Sequence, residues 1–255
     1  MKQLSPKERL AFVQSLELEA PKTRTREIAP PAPEITPNST ANYVNDGSLV
    51  SFVAGLSAED KSDVLNGVLL AQLAASKKHN RYTEPEAWYK DYHEILSKIG
   101  WVGQRDTFQK YTATGQTINV DKVVLQILAT IVVGGTAIAA ITQALTSLAG
   151  LSKSDRQFTL WEQSSHSLTT GNFQIAACEK SNNDVALNLG SFYFTATQNA
   201  TRFLWFDFSS TDFSLFTGAQ TMLLNKDHYS GVRQTVIDKL KELANEFVAN
   251  LPDLT

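Results

Sequence analysis

The chain has 255 residues, 23 Lys and Arg against 26 Asp and Glu for a net charge of −3, and 42% apolar residues with only 19% charged. Length and apolar share suffice for a sizeable core, while the missing basic excess argues against a nucleic-acid partner, whose phosphates would need neutralising. One cysteine, Cys178, excludes an internal disulfide and the usual cysteine-based zinc sites, and is compatible with a reducing compartment.

The opening MKQLSPKERLAFVQSLELEA has charges in every apolar run, so no signal peptide is expected. Within residues 5–20, Leu10, Phe12, Val13, Leu16 and Leu18, with Ser5 and Pro6 at the start, predict a short helix. Residues 22–46, with Pro30, Pro31, Pro33 and Pro37, read as an extended arm or linker, and 48–52 as the opening of a second helical region. Ser57 and Asp60 form an approximate capping box for a helix over 58–78, where Val64, Val68, Leu69, Leu73 and Ala74 keep helical spacing. Another helix over 84–99 carries Trp88, Tyr92, Ile95, Leu96 and Ile99 and stops at Gly100. The period then changes, and 101–120 predicts a β-hairpin turning near Gly115.

Residues 123–152 contain no charge. The run is long enough for a membrane span, but Thr130, Thr136, Thr142, Gln143, Thr146 and Ser147 make it only moderately hydrophobic. Gly134-Gly135 breaks it, and neither a Lys/Arg cluster nor an aromatic belt marks its ends. Buried helices are the favoured reading.

From residue 157 the pattern reads as β, with strands over 158–162, 172–179, 185–197, 201–209 and 213–224 in an antiparallel meander. Phe173, Ile175 and Ala177 point one way, and Gln174, Ala176 and Cys178 the other. Val232, Val236, Leu240, Leu243, Phe247 and Leu251 then predict an amphipathic helix over 228–250, closing a sheet face and ended by Pro252. The expectation is an α+β fold in a single domain, 1–255. In it the C-terminal meander (157–225) packs with N-terminal helices, an uncharged helical core segment (123–151) and the C-terminal helix.

Cys178 in mid-strand reads as a small buried hydrophobe, or as a nucleophile, redox thiol or lipid attachment point. His166 and Asp184 complete a possible trio, which matches no local protease signature, and mid-strand is a poor place for a nucleophile. His79, His93, His166 and His228 are scattered, so no metal site is expected. No carboxylate pair stands out, and Gly134-Gly135 lacks the lysine and serine of a phosphate loop. Phe203, Trp205, Phe206, Phe208, Phe213 and Phe216 read as core or cavity lining. The small residues Ala137, Ala139, Ala140 and Ala144 leave room beside an aromatic sheet. Such a core suits an acyl chain, at about 0.8 kcal/mol per buried CH₂; the alternative is a filled core with no ligand.

The segments GWVGQRDTFQKYTATGQTINVDKVVLQILATIV, GNFQIAACEKSNNDVALNLGSFYFTATQNATRFLWFDFSS and GAQTMLLNKDHY resemble the Erwinia virulence factor family over roughly half of the chain. The resemblance implies an α/β fold, a fatty acid such as palmitate held as a thioester, persistence in insect guts and membrane association. It places the protein in the bacterial cytoplasm, peripherally on a membrane, with a membrane or fatty acid as partner and no other cofactor. The acylated residue would be Cys178, with Ile127, Ile131, Ile138, Ala176, Leu187, Phe192, Leu204 and Phe206 as candidates to line the cavity. Competing readings are a pore-forming toxin that inserts 123–151 as a hairpin bent at Gly134-Gly135, a thiol hydrolase using Cys178 with His166, and a plain lipid carrier.

Overall fold

The computed structural model describes residues 4–20, 32–103, 107–132, 134–241 and 243–252. In chain order the elements are α1 (Pro6–Ser15), β1 (Ala41–Asn45), β2 (Ser48–Phe52), α2 (Ala58–Lys78), α3 (Pro85–Ile99), β3 (Trp101–Gly103), β4 (Gln109–Lys110), β5 (Thr117–Asn119), α4 (Val120–Leu128), α5 (Gly135–Gly150) and α6 (Arg156–Ser165). There follow β6 (His166–Ser167), β7 (Thr170–Ser181), β8 (Asp184–Ala196), a 3₁₀ turn (Phe203–Trp205), β9 (Asp207–Ser209), β10 (Phe213–Leu224), α7 (Lys226–Leu240), α8 (Ala244–Phe247) and β11 (Val248–Asn250). The fold is α+β, as the sequence predicts.

Local chemistry sets the first helices. Ser5 and Glu8 close a reciprocal capping box on α1, and the Ser57 hydroxyl accepts the Asp60 N–H at 3.0 Å to start α2. Gly100 ends α3 at φ +126°, in a backbone region that suits glycine.

The main sheet runs in the order β11-β1-β2-β7-β8-β10-β3. β7, β8 and β10 form the expected antiparallel meander: Ser181 pairs with Asp184 across a tight turn, and Leu224 of β10 pairs with Val185 of β8. β2 joins it in parallel, Phe52 beside Cys178, with α2 and α3 inside the long connection that parallel pairing requires. The sheet divides two cores. On one face α2, α3 and α7 gather over Phe52, Ala176, Cys178, Val185, Leu187 and Leu189. On the other α4, α5 and α6 cover Phe173, Ile175, Ala177, Phe192, Phe194 and Leu215. The alternation read from Phe173 to Cys178 therefore holds.

Several expectations are corrected. Residues 48–52 are strand, and Ala41–Asn45, inside the expected arm, pairs with them in a hairpin turning at Asp46-Gly47, Asp46 at φ +52°. Both strands are buried on both faces, which erases the polar–apolar alternation that marks a strand. Pro30 and Pro31 lie outside the described residues. Residues 158–162 belong to α6, where Phe158, Trp161 and Ser165 share a buried stripe at helical spacing despite their aromatic content. Over 101–120, β4 pairs with β10 and β5 with β9, so no hairpin forms about Gly115. Residues 201–209 give only the 3₁₀ turn and β9. In place of one helix over 228–250, α7 ends at Leu240, the short α8 follows, and the chain returns as β11, which pairs with β1, Tyr43 opposite Asn250. The free edge of β1 takes up residues 248–250, so the helical spacing is followed as far as Phe247 in α8 but not on to Leu251.

Candidate functional site

Cys178 is fully buried in the middle of the sheet. It stands beside Phe52 of β2 and across from Leu187 of β8, and its backbone carbonyl accepts the Val53 N–H at 2.9 Å. Burial pushes the thiol well above its ordinary pKa, and the nearby Glu179 carboxylate adds to the shift. The thiol is thus neutral and a weak nucleophile.

The Cys178–His166–Asp184 trio is not assembled. His166 pairs with Gly171 at the start of β7. Seven residues of strand at about 3.3 Å each separate Gly171 from Cys178, roughly 23 Å. The His166 ring lies 5.0 Å from that of Phe203, in the opposite core. Burial lowers its pKa, and Nε2 sits 3.9 Å from Glu162. Asp184 is exposed at the β7–β8 turn.

The eight expected cavity residues fall on both sides of the sheet. Ala176 and Leu187 share the core of Cys178. Phe192 and Leu204 are buried in the other core, and Ile127, Ile131, Ile138 and Phe206 pack on that core's margin. They do not line one cavity, and the 123–151 helices do not wall the cysteine. The cause is the two-residue period of β7, which sends Ala177 toward α5 and Cys178 toward α2 and α3. One groove of about 450 Å³ lies among Val102, Asn183, Asp184, Leu223, Asn225 and Lys226, and contains none of these residues.

The uncharged segment forms a helical hairpin, α4 and α5, laid on the aromatic face of the sheet. Ala137, Ala140, Ile141, Ala144, Leu145 and Leu148 make the buried stripe of α5. Small side chains allow close approach: Ser51 Oγ of β2 donates to the Ala140 carbonyl at 3.4 Å. A Cβ at Gly190 would lie 3.1 Å from the Leu128 side chain. The tip is the Gly134-Gly135 break, with Gly134 at φ +100° and open space around both glycines.

From Val123 on, the outward side of this hairpin carries no charge among the described residues, while Asp121 and Lys122 lie in the first turn of α4. Beyond that turn its exposed residues are Gln126, Ala129, Thr130, Gly134, Gly135, Thr136, Ala139, Thr142, Thr146 and Gly150. At the chain's overall charged share of 19%, about six charges would fall in thirty such residues; there are none. Three of its exposed hydroxyls are bonded within the hairpin, whereas the buried Ser147 Oγ has no hydrogen-bond partner among the described residues. Thr130 donates to Ile127 O at 2.7 Å, Thr142 to Ile138 O at 2.9 Å and Thr146 to Thr142 O at 2.8 Å. A threonine so bonded exposes mainly its methyl, which lowers the cost of leaving water. Among the described residues no helix is long and apolar enough to cross a membrane. The 16 residues of α5 span about 24 Å against a hydrocarbon thickness of about 30 Å.

Two features escaped the sequence reading. Arg81 and Asp46 form an enclosed ion pair at 2.6 Å under the β1–β2 turn, with Gln72 accepting from the same guanidinium at 3.2 Å. Arg202, at φ +58°, reaches the C-terminal end of α5. The Asp-Gly turn was a visible signal for the first; nothing local in the sequence marks the second.

No protein-family model matches the chain, and no curated protein matches it in sequence. Solved structures that resemble it include a delta-endotoxin, at 12% identity and TM-score 0.45, covering 79% of this chain and 91% of that one. An activated Cyt2Ba monomer from Bacillus thuringiensis subsp. israelensis is 15% identical with TM-score 0.34, over 53% of this chain and 79% of that one. The Evf virulence factor is 12% identical with TM-score 0.36, over 85% of each chain. At these values the likenesses are loose and leave function to be argued from this chain's own residues.

Proposed function

We propose that this chain is a non-enzymatic, membrane-associating protein of the virulence type that meets the lipid surface through the α4–α5 hairpin. The observation that carries the membrane part is an outer face free of charge from Val123 on, with Thr130, Thr142 and Thr146 internally bonded, ending in an open glycine tip. Both arms are too short to span, so the hairpin lies at the depth of the headgroups and upper acyl chains. Charged residues mark its two feet, Asp121 and Lys122 in the first turn of α4 and Lys153 and Asp155 after α5. The virulence part rests on the sequence resemblance.

A fatty-acid thioester on Cys178 belongs to the same proposal as its second anchor, since one weak membrane contact gains firmness from another. It carries a condition: the chain must lie among α2, α3 and the sheet, so it is attached before that core closes or while it is open. Intact mass of protein from its native host, with and without neutral hydroxylamine, tests it. A hydroxylamine-labile excess mass supports the thioester, and the bare chain mass removes it.

The membrane reading is tested by flotation of the full chain with phosphatidylcholine vesicles, beside Thr136→Asp and Ala139→Glu. Co-flotation lost in the two charged variants supports the hairpin as the contact. Equal flotation of all three removes the hairpin from it.

A further inference from the structure

The end of α5 is gripped by one residue from a distant part of the chain. Arg202 Nη1 donates to Ala149 O at 2.8 Å, and its Nη2 donates to Leu151 O. These carbonyls belong to the terminal turn of α5 and its cap, where the helix leaves acceptors unpaired and its dipole end is negative. The guanidinium also lies over the Phe158 ring of α6, 4.4 Å from its centroid. Arg202 is itself fixed: its backbone is left-handed, and its N–H donates to Glu162 Oε2 at 3.2 Å. Phe203, next in the chain, is buried against Trp161 and Phe173. The clamp thus ties α5 to α6 and to the sheet. The tip at Gly134-Gly135, by contrast, has open space around it.

We propose that Arg202 is an autoinhibitory latch, which holds the foot of the α4–α5 hairpin on the sheet and restrains its release toward a lipid surface. This deepens the membrane reading above and rests on it. Two charge-assisted bonds to carbonyls and a stacked ring are interactions that a glutamine cannot reproduce. Other charges near the clamp are the Glu162 carboxylate and Lys153. Outside the clamp, the hairpin is held mainly by apolar burial and by the weak Ser51 contact. That attachment is one an apolar membrane can replace, whereas the charged clamp is not.

The test compares wild type, Arg202→Gln and Arg202→Lys by amide hydrogen exchange in buffer and by rate of association with phosphatidylcholine vesicles. Exchange in β7 and β8 serves as the internal standard for an intact fold. Arg202→Gln is expected to speed exchange across α5 about tenfold, the factor for losing roughly one charge-assisted bond. Its vesicle association should quicken, with Arg202→Lys between it and wild type. Unchanged α5 exchange in both variants, or acceleration equal to that of β7 and β8, overturns the latch whatever the vesicles show. Faster α5 exchange without vesicle association of any of the three proteins upholds the clamp as a restraint on α5 and fails the membrane reading instead.

Discussion

Ala177 and Cys178 are neighbours in the chain, yet their side chains enter the two separate cores that the sheet divides. That one-residue difference decides the chemistry open to the thiol. It faces α2 and α3 and is sealed from solvent, apart from the uncharged helices that the sequence suggested as its neighbours.

The sealed thiol should resist modification. In native buffer Cys178 is expected to react with an aromatic disulfide reagent at least 100-fold more slowly than in denaturant, where one thiol per chain titrates. Cys178→Ser buries a hydroxyl at a site built for sulfur and should cost about 1–3 kcal/mol in chemical denaturation. Cys178→Ala should cost less, and vesicle association of the bare chain should survive in both.

Asp46 and Arg81 make the turn of β1–β2 a second point of vulnerability. Arg81 is enclosed, donating to Asp46 and Gln72, and its guanidinium packs 4.6 Å from the Trp88 ring. A Cβ on Gly47 would fall 2.5 Å from Nη2. Asp46→Ala leaves a buried cation without its partner and should destabilise by about 3–5 kcal/mol, read as a shift in denaturant midpoint.

How much of this was legible beforehand follows from where the signals are local. Caps at Ser5, Ser57 and Gly100, and the spacing within α2 and α3, are properties of short segments, and they placed those helices closely. The meander strands β7, β8 and β10 announced themselves through alternation and turn residues. The β1–β2 hairpin did not, because a strand buried on both faces has no polar side to display. β11 was hidden for another reason: its pairing to β1 is a contact between chain ends, and the apolar spacing there fits a helix equally well. The uncharged segment was readable as a broken helical pair, but which sheet face it would cover was not. That depends on the crossover from β2 to β7, which a linear pattern does not record, and so the eight cavity candidates were scattered over both faces. Arg202 was invisible for the same reason, since its acceptors lie some fifty residues earlier.

The pH response near the hairpin foot has a definite sign. Burial lowers the pKa of His166 from its usual 6.5, so the unfolded chain binds the proton more readily. This contribution is full above pH 6.5 and is lost as the pH falls from there through the depressed value. Glu162 acts oppositely: burial raises its pKa, so the folded state is favoured as the pH falls through that raised value toward the ordinary carboxylate range. His166→Gln should therefore flatten the loss of stability just below pH 6.5, measured by denaturant titration in steps of pH.

The aromatic layer beneath the hairpin leaves little room. A Cβ on Gly171 would fall 2.0 Å from the Phe194 ring, which also packs against Phe203, Phe208 and Phe213. Gly171→Ala should cost about 1–3 kcal/mol through overpacking, and should also loosen α5, seen as faster amide exchange there.

The tip of the α4–α5 hairpin is proposed to enter the lipid surface. This entry is tested most directly by an environment-sensitive fluorophore on Thr136→Cys in a Cys178→Ala background, with vesicles containing lipids brominated at known acyl depth. A blue-shifted probe quenched most by shallow bromines is the predicted result. A probe that stays water-exposed and unquenched while the protein co-floats with the vesicles would contradict it.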